Sequence, residues 1–82
     1  MSREEVKDRL EKVFREVFDD ETILITDETS AEDIDAWDSL THVELIVAVE
    51  EEFKMKLSAR EIVRLKNVGE FINLIHSKAG AL

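Results

Sequence analysis

Proline is absent from this 82-residue chain, and glycine stands only at Gly69 and Gly80. Such a chain can run long helices, because these two residues most disfavour a helix interior. The apolar spacing agrees. Val6, Leu10, Val13, Phe14, Val17 and Phe18 recur at three- and four-residue steps, which predicts a helix from Arg3 to Phe18 with one buried stripe. Ser2 and Glu5 form a capping box at its start. Glu5–Arg9 and Glu11–Arg15 are spaced for ion pairs one turn apart. Val43, Ile46, Val49 and Phe53, with Leu45 beside them, predict a second helix from Ser39 to Phe53, N-capped by Asp38. Glu44, Val47 and Glu51 fall mainly outside its apolar side. Ser58 with Glu61 opens a short third helix ending near Leu65. Asn67 with Glu70 opens a fourth, carrying Phe71, Ile72, Leu74 and Ile75.

Residues 19–38 read as a long acidic loop anchored by Ile23, Leu24, Ile25 and Ile34. A strand at 22–26 would lack a partner. A helical turn near Ser30 to Asp33 would shorten the irregular stretch. The expected fold class is all-α: a small four-helix bundle of three longer helices and a short third one, with a long first connection. One domain spans residues 1–82, with 78–82 as a frayed tail.

The charge is unevenly placed. Residues 1–15 carry +1, residues 16–53 hold fourteen acidic side chains and no Lys or Arg, and residues 54–82 carry +4, for −9 overall. The acidic block repels nucleic-acid phosphates and anionic lipid, and attracts basic protein surfaces. Acidic excess also serves solubility alone, and charge by itself does not choose between the two. Glu50, Glu51 and Glu52 end the second helix, where the macrodipole disfavours negative charge, which favours a binding role. The chain has no cysteine, hence no disulfide and no thiolate metal site. No apolar run approaches a membrane span. The start, Met1-Ser2-Arg3-Glu4-Glu5, lacks the apolar core of a signal peptide, so a cytoplasmic location is expected.

Asp38-Ser39-Leu40 stands where the acidic loop turns into the second helix. The Ser39 hydroxyl lies at a helix N-terminus, where free N–H groups and the macrodipole favour a phosphate. Ser39 is an ordinary first-turn serine, a nucleophile, or a point of attachment. His42 lies one turn further on, but this pair has no evident oxyanion hole or pocket. Catalysis is therefore not expected, and no residue is assigned to it. Asp33, Asp35 and Glu44 fall at positions one, three and twelve of a calcium loop, but Trp37 stands at five and Asp38 replaces the glycine at six. His42 and His76 have no Cys partners, so no metal is expected. Trp37 either packs the loop end against the bundle or contacts a partner.

The segment from Asp33 to Phe53 resembles the acyl carrier proteins. The likeness lies in Asp38-Ser39-Leu40, the Val43-Glu44-Leu45 step and the Glu50-Glu51-Glu52-Phe53 close, and extends more loosely over nearly the whole chain. It implies that Ser39 is esterified with 4′-phosphopantetheine by a phosphopantetheinyl transferase using coenzyme A. The thiol of that arm would then carry acyl groups as thioesters. The resemblance also implies docking on basic surfaces of acyl-transferring or synthase enzymes through Asp38, Glu44, Glu50 and Glu51 around Val47, and a monomeric state; Trp37 joins that docking set only on the general ground that exposed Trp favours contacts. Val6, Leu10, Ile46, Leu65 and Phe71 line an interior similar to the one that shelters an acyl chain in some members.

Three departures from the housekeeping fatty-acid pattern stand out. Trp37 replaces a small residue before the motif, Thr41 replaces an acidic residue after it, and Arg60, Arg64 and Lys66 make the third-helix region basic. They leave attachment intact and point to a dedicated carrier for a modified lipid, a polysaccharide-linked acyl group or a secondary metabolite. An aminoacyl cargo, as on peptidyl or D-alanyl carriers, and an acidic interaction module without a prosthetic group are the alternatives.

Overall fold

The computed structural model describes residues 1–80. Four helices follow in order: α1 Arg3–Val17, α2 Ser39–Phe53, α3 Ala59–Ile62 and α4 Val68–Gly80. The described residues contain no strand, so the chain is all-α, as its spacing predicts.

Helix α1 buries Val6, Leu10, Val13 and Phe14, and packs against both α2 and α4. Helix α4 contributes Val68, Phe71, Ile72 and Ile75 to the core. Helix α2 contributes Leu45, Ile46, Val49 and Phe53, but Val43 is 61% exposed and not part of the buried side. The reason is rotational. At about 100° per residue, a face centred between Leu45 and Ile46 includes position 42 and leaves position 43 on the flank. His42, not Val43, therefore takes the inner position at the start of α2.

The long loop lacks a strand partner, and α1 supplies one in side-chain form. Arg15 Nε donates to the Ile23 carbonyl at 2.8 Å, and Glu11 accepts from the Ile25 amide at 3.0 Å. Glu11 and Arg15 also pair with each other at 3.1 Å. These contacts hold Ile23 and Ile25 inward while Leu24 faces solvent. Further on, the loop caps α4. The Val68 amide donates to the Thr29 carbonyl at 2.8 Å, and the Gly69 amide to the Asp27 carbonyl at 2.9 Å. Those are two of the amides that a helix start leaves without internal partners. A Cβ at Gly69 would stand 3.0 Å from that same Asp27 oxygen, which is why glycine is used here. The left-handed positions at helix ends are instead filled by Asp19 and Lys54, each at φ 51°.

Several local expectations change. Helix α3 stops at Ile62 because three-residue turns follow, Arg64 to Glu61 and Leu65 to Ile62, and they swing Leu65 into the core. Ser2 makes half of its box, accepting the Glu5 amide at 3.1 Å. Arg9 pairs with Glu52 at 2.7 Å across to α2, not with Glu5, and its guanidinium lies over the Phe53 ring. The expected frayed tail is helical through Gly80, and Lys78 reaches Glu61 at 3.1 Å, tying α4 to α3; Ala81 and Leu82 lie outside the described residues. The run Glu50 to Glu52 has a structural account. Glu50 accepts the Leu57 amide at 2.8 Å and Glu52 holds Arg9, which leaves Glu51 as the member free for other work.

Candidate functional site at the start of α2

Asp38 fixes where α2 begins. Its Oδ1 accepts the Leu40 and Thr41 amides, both at 2.9 Å, while the Asp38 amide donates to Thr41 Oγ1 at 2.8 Å. The Thr41 hydroxyl donates in turn to the Ala36 carbonyl at 2.7 Å. This reciprocal box uses threonine where the usual pattern has Glu or Gln. Thr41 is thus a site residue that sequence reasoning missed; Asp-x-x-Thr at a helix start was the available signal. The Thr41 amide does most to hold the Asp38 carboxyl below its ordinary value; burial opposes it, and the Leu40 amide and the Thr41 hydroxyl add smaller lowering effects.

Ser39 is the first residue of α2 and is exposed. Its hydroxyl has no hydrogen-bond partner among the described residues, so a covalent group there displaces nothing. The amides of Leu40 and Thr41, however, are already taken by Asp38. The helix start is thus not the open anion cradle that the sequence suggested, and the Ser39 amide is its remaining donor.

Trp37, immediately before the cap, turns inward and is 5% exposed. That burial removes it from the expected partner-contact residues and makes it a packing residue. Its indole meets Phe14 edge-on at 5.2 Å and lies 6.2 Å from Phe71 and 6.4 Å from Phe18. Trp37 Nε1–H donates to His42 Nδ1 at 3.0 Å, and the two rings are nearly parallel. His42 Nδ1 is therefore occupied as an acceptor and is not a base for Ser39. Beside Ser39 runs an open groove of about 610 Å³, walled by Trp37, His42, Ile62, Val63, Leu65 and Lys66.

Burial holds the His42 pKa below its ordinary 6.5, opposed by the Ile62 carbonyl. The unfolded chain thus binds a proton at this site before the folded chain does. Its contribution to stability is complete above about pH 6.5 and lost as pH falls through the lower folded value. Urea midpoints are expected to fall across that window in the native chain. The fall should shrink in His42→Gln; an unchanged pH profile in that variant would remove His42 from the account.

The outer face of α2 presents Leu40, Val43 and Val47, which are 73%, 61% and 49% exposed. Glu44 and Glu51 are exposed on the same helix. Of the other anticipated docking residues, Asp38 and Glu50 have carboxylates already committed to backbone amides. No cluster of His, Cys, Asp and Glu suited to a metal occurs among the described residues. No helix among them is long and apolar enough to cross a membrane.

Comparison with known proteins places the chain in a family. Residues 8–75 match the family described as the phosphopantetheine attachment site. An acyl carrier protein of Thermosynechococcus vestitus is 33% identical over 82 residues, covering 99% of this chain and 100% of that one. One from Acidothermus cellulolyticus is 36% identical over 76 residues, covering 92% and 89%. The solution structure of the holo acyl carrier protein from Geobacter metallireducens superposes with a TM-score of 0.87 at 49% identity, covering 93% of this chain and 87% of that one. With the four-helix fold and these matches along nearly its whole length, the chain belongs to the acyl carrier proteins, non-catalytic carriers that bear a covalently attached 4′-phosphopantetheine.

Proposed function

We propose that Ser39 is the attachment residue and that the thiol of its arm carries acyl intermediates between enzymes of fatty acid or specialised lipid synthesis. The observation that supports Ser39 most directly is its position. It is exposed, unpartnered in its hydroxyl, next to the cap and at the edge of an open groove. Asp38 positions it by fixing the helix start, and Leu40 gives the attaching enzyme an exposed apolar neighbour. Digestion of the loaded protein should place the adduct on the peptide containing Ser39; an adduct on Ser30 or Ser58 would refute the assignment.

Partner enzymes, the phosphopantetheinyl transferase among them, dock on the outer face of α2 in this reading. Leu40, Val43 and Val47 supply apolar contact, and Glu44 and Glu51 supply charge. Asp38 and Glu50 add to the negative field without offering a free carboxylate. The acidic block also disfavours contact between two copies, which supports a monomer. The lack of cysteine and of a spanning helix among the described residues is consistent with work in the cytoplasm. The exposed Arg60, Arg64 and Lys66 support a dedicated set of partners over the housekeeping set.

The double variant Glu44→Lys, Glu51→Lys is expected to slow transfer of the prosthetic group by about tenfold at low salt, the lower end of what electrostatic steering supplies. Added salt should narrow the gap. Glu4→Lys with Glu16→Lys on α1, an equal change of charge on another helix, should have little effect. Equal losses at both places would mean that net charge, not this face, is recognised.

A further inference from the structure

Trp37 and His42 stand between the groove beside Ser39 and the aromatic part of the bundle core. The groove is lined by residues of the long loop, the first turn of α2 and the α3 region, and by none from α1 or α4. Its inner wall is Trp37 with His42. Behind that wall lie Phe14 and Phe71, both fully buried and both in ring contact with Trp37. The His42 ring also meets Phe71, at 6.0 Å, so the two residues close the same opening from adjacent positions. An acyl chain tethered at Ser39 can escape water in two ways. It can lie in the groove, or it can pass between the helices. The second route requires Trp37 to leave three aromatic neighbours and its hydrogen bond to His42, and a buried indole N–H without an acceptor is unfavourable.

The groove itself is a mixed surface. Ile62, Val63 and Leu65 are apolar, while Lys66, His42, Glu32 and Ser30 offer a cation, an imidazole, a carboxylate and a hydroxyl. It is open to solvent along its length, so a long saturated chain would remain largely wet there. A short group with a polar substituent suits it on both counts.

We propose that Trp37, pinned by His42, is the specificity-determining residue of this carrier. It seals the bundle interior, so that the arm at Ser39 presents its cargo in the groove between the start of α2 and α3, which selects a short, polar-substituted acyl group over a long saturated chain. This rests on attachment at Ser39.

The test loads the full chain with 3-hydroxybutyryl- or hexadecanoyl-phosphopantetheine, each transferred from its coenzyme A thioester by a broad-specificity transferase and verified by intact mass. Methyl chemical shifts and the rate of thioester cleavage by hydroxylamine are then measured. In the native chain both cargoes should move the methyls of Ile62, Val63 and Leu65 and leave those of Leu10, Val49 and Ile75 in place. Hydroxylamine should cleave both thioesters at similar rates. A cargo hidden in the interior about nine-tenths of the time would react about tenfold more slowly. In Trp37→Ala the long cargo should shift the interior methyls and gain that protection. Where that variant melts without cooperativity, Trp37→Leu takes its place. Interior shifts and slow cleavage of the hexadecanoyl form in the native chain would overturn the proposal while leaving Ser39 as the attachment residue. A chain that accepts no adduct would overturn both.

Discussion

Phe14→Ala is expected to cost about 3–5 kcal/mol of folding stability, the range for removing a buried aromatic side chain. The magnitude follows from where the ring sits. Phe14 is fully buried and meets Phe18, Trp37 and Phe71, with centroids at 5.7, 5.2 and 6.2 Å, all three edge-on. It joins α1 to the loop end and to α4, so no single neighbour can collapse into the space it leaves. A domain of this size has only about 4–12 kcal/mol to lose, by the usual stability per residue. The variant should therefore lose a large share of that stability. Urea denaturation measures this directly. A loss under about 1 kcal/mol would mean that the aromatic cluster relaxes and does not hold the loop to the helices. The same variant should loosen Trp37, visible as a red shift of the protein's one tryptophan emission in the folded state.

Much of this fold was legible because the information is local. The apolar stripes of α1 and α4, the caps at Asp38, Ser58 and Asn67, and the span of α2 follow from spacing and end signals that act within one or two turns. The features that differ depend on side-chain partners that apolar spacing does not specify. The spacing puts Val43 inside, but apolar character alone cannot set a helix's rotation. The structure turns His42 inward instead, where Trp37 Nε1 supplies the polar contact that makes it acceptable. Glu50 and Glu52 looked like surface charge opposing a macrodipole. Their partners, the Leu57 amide and Arg9, could not be inferred from the helix alone. Of the expected loop anchors Ile23, Leu24, Ile25 and Ile34, Leu24 is exposed, and nothing in the loop's sequence shows that Glu11 and Arg15 of α1 satisfy the backbone beside Ile23 and Ile25. At the candidate site, the Asp38-Ser39-Leu40 motif points to Ser39. From the sequence, Thr41 is only a departure from the family pattern and His42 an ordinary helix residue; in the structure Thr41 completes the cap and His42 pins Trp37. In both cases the chemistry lies in the side chain's hydrogen bonds, two at the Thr41 hydroxyl and the one that His42 accepts from Trp37.

Ser39→Ala is expected to abolish attachment of phosphopantetheine while leaving the fold intact. Stability should change by less than about 0.5 kcal/mol, because Ser39 is exposed and the cap is made by Asp38. No neighbouring residue can substitute for it. Thr41 carries the nearest other hydroxyl in the first turn, and it is engaged with the Asp38 amide and the Ala36 carbonyl. The decisive measurement is an intact mass of the native chain and of Ser39→Ala after incubation with coenzyme A, magnesium and a broad-specificity phosphopantetheinyl transferase. Circular dichroism should confirm that both remain helical. The native chain should gain the mass of one 4′-phosphopantetheine and the variant none. An unmodified native chain, or a variant modified to the same extent, would contradict the assignment of Ser39.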